Sequence, residues 1–251
     1  MMKVAFFDSG IGGLSVLNTA YNILPNESFV YFADTDNVPY GTKSQSEIKA
    51  LVFDAVEFLS QFDLKALVLA CNTATSVVVN ELRAHYDFPI IGMEPAVKPA
   101  TTQTTRKVIV CATERTLQEE KLDVLIENLN ASDRIEKCSL QALVSYAEDF
   151  DFNNPELKMY LEKKFDNIDW NTFDSVVLGC THFLFFKPHI QKIIPRHISI
   201  LDGNEGTVKR LRSLISENTP VEQKSSTLFY QSKRQVPYIY FDHYLRYLNE
   251  I

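Results

Sequence analysis

Across 251 residues the chain has only four cysteines, one tryptophan and eight glycines. Cys71, Cys111, Cys138 and Cys180 are widely spaced, with no C-x-x-C and no paired histidine spacing, which argues against a zinc site and a thioredoxin-like redox motif. Free thiols of this kind are expected in a reducing compartment. No apolar run approaches the ~20 residues needed to cross a bilayer, so no membrane partner is expected. The opening Met1-Met2-Lys3-Val4-Ala5-Phe6-Phe7-Asp8 is apolar for too few residues to be a signal peptide, which points to the cytoplasm. The net charge is −7 and no basic stripe exists, which argues against nucleic acid, so no nucleic-acid partner is expected.

With 45% hydrophobic and 23% charged residues, the composition is that of a globular protein able to bury a core. The length fits one large domain or two smaller ones. Apolar runs at 4–7, 29–32, 66–70, 89–92, 107–112, 175–179 and 198–201 are continuous rather than alternating. Such runs suit strands buried on both faces, hence parallel sheets covered by helices. Between them, Ile48, Leu51, Val52, Ala55, Val56, Leu59 and Phe62 recur at helical spacing, and Ser44 with Glu47 forms a capping-box pattern at the start. Further helices are predicted at 14–24, 74–86, 115–129, 155–165 and 205–217. The Pro- and Thr-rich segment 94–107 reads as a crossing between two units.

Two stretches repeat one another. "LVLACNTATS" (67–76) and "VVLGCTHF" (176–183) each run an apolar strand into a small residue, a cysteine and a polar pair. The fold class is therefore α/β, with two similar domains of mainly parallel sheets and a site in the cleft between them. The first domain is assigned to residues 1–96 plus 205–251, the second to 97–204.

Five of the eight glycines flank strand ends: Gly10, Gly12 and Gly13 in "FFDSGIGG", Gly41, and Gly179 before Cys180. The first group matches neither a dinucleotide fingerprint nor a Walker loop. It reads as a strand, turn and helix whose amides and Ser9 hydroxyl receive a small anion, with Asp8 at the strand's carboxyl end. The alternative is that Asp8 and Ser9 only cap the helix that follows.

A single strand-end cysteine is commonly a core residue, but the repetition suggests otherwise. If the twin motifs face each other, a bound carbon has one sulfur on either side, each about 3–3.5 Å away, placing the sulfurs roughly 7 Å apart. That geometry suits removal of a proton from one face of a stereocentre and its return to the other. Two thiolates at that separation would repel by roughly 2.4 kcal/mol at an effective dielectric near 20, favouring one thiolate and one thiol. Asp8 and His182 are the candidate tuning groups. Cys111 and Cys138 read as structural thiols, and His85, His189, His197 and His243 as structural or surface residues.

"FFDSGIGGLSV", "VPYGTK", "ACNTATS" and "LGCTHF", in this order and spacing, resemble the cofactor-independent glutamate racemases of the aspartate/glutamate racemase superfamily. The resemblance implies two α/β domains, the first completed by the C-terminal segment, and interconversion of L- and D-glutamate for peptidoglycan without metal or cofactor. It assigns Cys71 and Cys180 as acid/base residues, the first acting on D-glutamate and the second on L-glutamate. Asp8 and His182 assist the proton transfers, with Glu148 of "LVSYAED" near the histidine. Asp8-Ser9, Tyr40-Gly41, Asn72-Thr73 and Thr181-His182 are the substrate-binding pairs. The resemblance also implies a homodimer. His182 follows Cys-Thr where aspartate racemases usually carry Glu, which favours glutamate. Three runs depart from the family pattern: "HFLFFK" stands where Pro-Leu is usual, Ser145 where Pro is common, and "FYQSK" where Ser-Gly-Asp is often seen. The competing readings are a racemase of another acidic amino acid such as aspartate, and a non-catalytic amino-acid-binding module.

Overall fold

The computed structural model describes residues 2–215 and 226–251. Four strands, β1 Lys3–Asp8, β2 Phe29–Ala33, β3 Leu64–Leu69 and β4 Ile90–Gly92, pair in parallel in the order β2-β1-β3-β4. A second set, β5 Lys107–Ala112, β6 Ile135–Ser139, β7 Phe173–Leu178 and β8 Ser199–Asp202, pairs in parallel in the order β6-β5-β7-β8. Near the end of the chain, β9 Thr227–Gln231 adds in parallel beside β2, and β10 Arg234–Val236 pairs antiparallel outside it. The molecule is thus α/β, with two mainly parallel sheets.

The second sheet repeats the first in detail. The β1–β3 pairing slips by one residue between Lys3 and Val4, and the β5–β7 pairing slips between Lys107 and Val108. Lys3 to Ser9 therefore matches Lys107 to Thr113 position by position. Cys71 stands seven residues after Leu64, the first residue of β3, as Cys180 does after Phe173 of β7. Both cysteines follow strands adjacent to the point where the strand order reverses, the place where open α/β sheets bind ligands.

The unbroken apolar runs are explained by cores on both faces. Val4 and Phe6 of β1 point into one cluster, and Ala5 and Phe7 into another, as the two-residue period of a strand requires. The first of these clusters also takes Ile109, Cys111, Val176 and Leu178, so one continuous apolar body joins the two sheets.

Helices α1 Leu14–Ile23, α2 Gln45–Leu59 and α3 Asn72–His85 cover the first sheet. At the start of α2, the Glu47 amide donates to Ser44 Oγ at 3.3 Å and the Ser44 amide to Glu47 Oε2 at 2.9 Å. The capping box expected from sequence is therefore present. Leu51 and Phe62, however, are only half-buried.

Several elements differ from expectation. The segment 94–107 is not simply a crossing, since it holds α4 Val97–Gln103. The helix expected at 115–129 is two, α5 Glu114–Gln118 and α6 Glu120–Asn128, interrupted by extended Glu119. α7 Ala142–Glu148 was not anticipated, α8 Pro155–Phe165 was, and α9 Lys187–Ile193 was not. α10 spans Asn204–Leu214, and residues 216 and 217 of the expected helix lie outside the described residues. α11 Ile239–Glu250 closes the chain and packs on α1. Among the described residues no helix is long and apolar enough to cross a membrane.

Candidate active site

A small pocket lies between the carboxyl ends of the two sheets, and both Cys71 and Cys180 line it. Each is nearly closed off from solvent, 5% and 6% exposed. Ser9, Tyr40, Gly41, Asn72, Thr73, Thr181 and His182 line the same space, so one pocket gathers residues from four separate motifs.

On the first side, β3 delivers Cys71 as the N-cap of α3, where its Sγ accepts the Ala74 amide at 3.4 Å. Ser9 Oγ is 3.5 Å from the same sulfur. Burial pushes the Cys71 thiol up to about 12, the nearby Asp8 charge adds to that, and the Ala74 amide and Ser9 hydroxyl only partly oppose it. The proton therefore stays on Cys71 at neutral pH. Asp8 raises this thiol rather than activating it, because like charge disfavours the thiolate.

Asp8 does not cap α1: the N-cap is Gly13, without a side-chain bond. Its Oδ1 accepts the Gly10 amide at 3.0 Å, and its Oδ2 accepts the Thr181 hydroxyl at 3.1 Å. The second bond ties the end of β1 directly to the loop after β7. Desolvation lifts the Asp8 carboxyl to about 6 against the opposing pull of His182 and the Gly10 amide.

On the second side, a 3-10 stretch from Thr181 to Phe186 follows Cys180. Its four apolar residues, Phe183 to Phe186, are all buried, with Phe185 stacked on Phe152 at 5.4 Å. "HFLFFK" thus anchors this turn in the core. It holds His182 with Nδ1 3.7 Å from Cys180 Sγ and Nε2 2.6 Å from Glu148 Oε1. Burial alone would push the imidazole down, but its bonds to Cys180 and Glu148 outweigh that and hold it well above its ordinary value. Glu148, at the last position of α7, also accepts the Ile11 amide at 2.8 Å.

The glycine-rich turn makes this approach possible. A Cβ on Gly10 would overlap the Glu148 carboxylate, and one on Gly12 would overlap His182 and Thr181. None of the glycines has a positive φ, so close approach between the two sides accounts for these two.

Tyr40 donates its hydroxyl to Asp34 Oδ2 at 2.6 Å. Asn72 donates Nδ2 to the Met93 carbonyl at 3.4 Å, and its buried Oδ1 has no partner among the described residues. That atom is an acceptor held ready for a donor. Thr73 Oγ1 lies 3.0 Å from Thr113 Oγ1 and 3.2 Å from Thr116 Oγ1. Thr113, which also lines the pocket, and Thr116 were missed by sequence reasoning. A signal existed, because Thr113 directly follows the strand at 107–112 and occupies the place that Ser9 has after β1.

The remaining residues stand apart. Cys111 and Cys138 lie on β5 and β6 outside the pocket, and none of His85, His189, His197 and His243 lines it. No group of three metal-ligating side chains occurs among the described residues. The pocket suits a small polar molecule held by hydroxyls, amides and one imidazole between two thiols.

Comparison with known proteins identifies the family. The Asp/Glu/Hydantoin racemase family matches residues 15–211. The chain is 45% identical over 238 residues to the glutamate racemase of Halothermothrix orenii, covering 93% of this chain and 94% of that one. It is 51% identical over 215 residues to that of Campylobacter concisus, covering 84% and 82%. Among solved structures, the glutamate racemase of Francisella tularensis in complex with D-glutamate superposes with a TM-score of 0.83 at 25% identity, over 99% of this chain and 94% of that one. The chain belongs to the Asp/Glu/Hydantoin racemase family, alongside its glutamate racemases.

Proposed function

We propose that the protein interconverts L- and D-glutamate without a cofactor, Cys71 and Cys180 exchanging the α-proton from opposite faces of the substrate. The observation carrying this reading is that two cysteines from equivalent strand ends line one small pocket. In the L to D direction the Cys180 sulfur takes the α-proton, the C–H electron pair passes into the carboxylate, and the Cys71 S–H protonates the carbon from the other side. Cys71 starts with its proton on, as the donor must, and His182 Nδ1 lies 3.7 Å from the Cys180 sulfur. The reverse direction exchanges the roles. Hydroxyls and amides of Ser9, Asn72, Thr73 and Thr181, with Tyr40-Gly41, receive the charged ends of the substrate, where fixed donors stabilise the negative charge that develops.

Glutamate is the substrate acted on by the named relatives, and His182 after Cys-Thr favours it over aspartate. The same reading places the enzyme in the cytoplasm as a homodimer supplying D-glutamate for peptidoglycan. It divides the chain into 1–96 plus 205–251 and 97–204.

The test is incubation with L-glutamate in D2O, following optical rotation and α-deuterium. Solvent deuterium should enter the D-glutamate product, and Cys71→Ala and Cys180→Ala should each slow racemisation by roughly 10²–10⁴-fold. Glutamate binding with neither signal would leave an amino-acid-binding module. Near-native turnover in either variant would remove that cysteine from the mechanism.

A further inference from the structure

The two cysteines outside the pocket are 27 residues apart in sequence, yet Cys111 and Cys138 are direct register partners on β5 and β6. Neighbouring parallel strands lie about 4.8 Å apart, inside the Cα separation of about 4.4–6.8 Å that a disulfide accepts. Register partners project to the same face of a sheet. As register partners the two thiols are close enough to shift each other in opposite directions. Both are free thiols here.

The pair is graded in access. Cys111 is fully buried beneath the core, whereas Cys138 is half-buried on β6, the edge strand of its sheet. An edge strand yields more readily to the adjustment that closing a bond needs, because only one neighbour in the sheet holds it. Redox-sensitive dithiols share this layout, with one accessible sulfur of raised thiolate character and a resolving thiol behind it. Interaction with Cys111 holds the Cys138 thiol below its ordinary value, Lys164 adds to that, and Cys111 itself is held well above. Cys71, at about 12, has no comparable thiolate character.

The geometry points to Cys111 and Cys138 as a reversible dithiol that a hydroperoxide converts to a disulfide in the folded protein. The Cys138 sulfur attacks one peroxide oxygen, an S–O bond forms, the O–O bond breaks, and hydroxide leaves to be protonated to water. Cys111 then attacks that sulfur, the S–S bond forms, the S–O bond breaks, and a second water leaves with the Cys111 proton. Two thiols have lost two electrons and the peroxide has gained them. Because β6 is held only by β5, the strain of closing the bond falls on the edge of the sheet rather than on β7 and Cys180.

The experiment treats the folded protein with stoichiometric hydrogen peroxide, then unfolds it in alkylating reagent for peptide mass spectrometry. The expected result is a Cys111–Cys138 cross-linked peptide, 2 Da lighter than the two thiol peptides, restored to free thiols by dithiothreitol. Cys138→Ser should yield no such peptide while its circular dichroism stays native. If Cys138→Ser does not fold, Cys111→Ala serves instead: it should leave Cys138 oxidised to sulfenic acid and trapped by dimedone. Recovery of Cys138 as sulfinic or sulfonic acid with Cys111 still alkylatable would overturn the proposal. So would oxidation confined to Cys71 and Cys180.

Discussion

Replacing Asp8 by Asn removes a charge that the fold holds against solvation. Asp8 has no solvent exposure, and desolvation raises its carboxyl from 3.8 to about 6. A shift of about 2 units corresponds to roughly 3 kcal/mol of discrimination against the ionised form. Below about pH 4 the carboxyl is neutral in both folded and unfolded chains, so no penalty exists. Between about pH 4 and pH 6 the unfolded chain ionises first, and the folded state binds the extra proton. Stability therefore falls as pH rises through this window and levels off above it. Asn keeps the shape and an acceptor for the Gly10 amide but cannot ionise. The stability of Asp8→Asn relative to the native protein should rise from near zero at pH 3.5 to about 3 kcal/mol at pH 7.5. Urea unfolding of both proteins across that range measures it, and taking the difference cancels the titrating groups that do not interact with Asp8. A difference independent of pH would refute the reasoning. The variant should also lose racemase activity, a stability gain set against function of the kind expected at a strained site.

Two other substitutions probe the contact between the halves. Gly12→Ala places a methyl group where His182 and Thr181 now lie, so turnover should fall roughly 10²-fold, as small misplacements of reacting groups do. Circular dichroism should stay native, and unchanged kinetics would show that the turn is not closely packed on His182. Glu148→Gln removes one of the two partners that hold the imidazole protonated. The His182 titration followed by NMR should move down in pH. The stability supplied by the raised histidine, present below its unfolded value near 6.5 and lost as pH rises through its folded value, should shrink. An unmoved His182 titration would assign its proton to Cys180 alone.

Much of the frame was legible because its signals are local. Seven apolar runs became seven strands, since a parallel strand buried on both faces needs no polar positions. Ser44 and Glu47 marked a helix start because a capping box closes within four residues. The strands that escaped notice owe their formation to partners. β6, Ile135-Glu136-Lys137-Cys138-Ser139, is half-exposed and carries two charges, and β9 gains its ladder from β2 almost 200 residues earlier. The break at Glu119 follows from backbone geometry that helical periodicity does not record.

The candidate site divides in the same manner. Repetition of strand, small residue and cysteine marked Cys71 and Cys180 without any knowledge of their neighbours. Glu148 came only through resemblance, because its closeness to His182 depends on α7 packing against the turn after Cys180 and on the Ile11 amide, 137 residues away. The sequence by itself determined the kinds of strand, the doubled motif and the residues able to move a proton, since these are properties of short segments. Tertiary structure alone decided that both sulfurs open onto one pocket, that Asp8 holds Thr181 rather than capping α1, and that Cys111 meets Cys138. The first two depend on distances across two sheets, fixed only when the shared core closes, and the third on the register of β5 with β6.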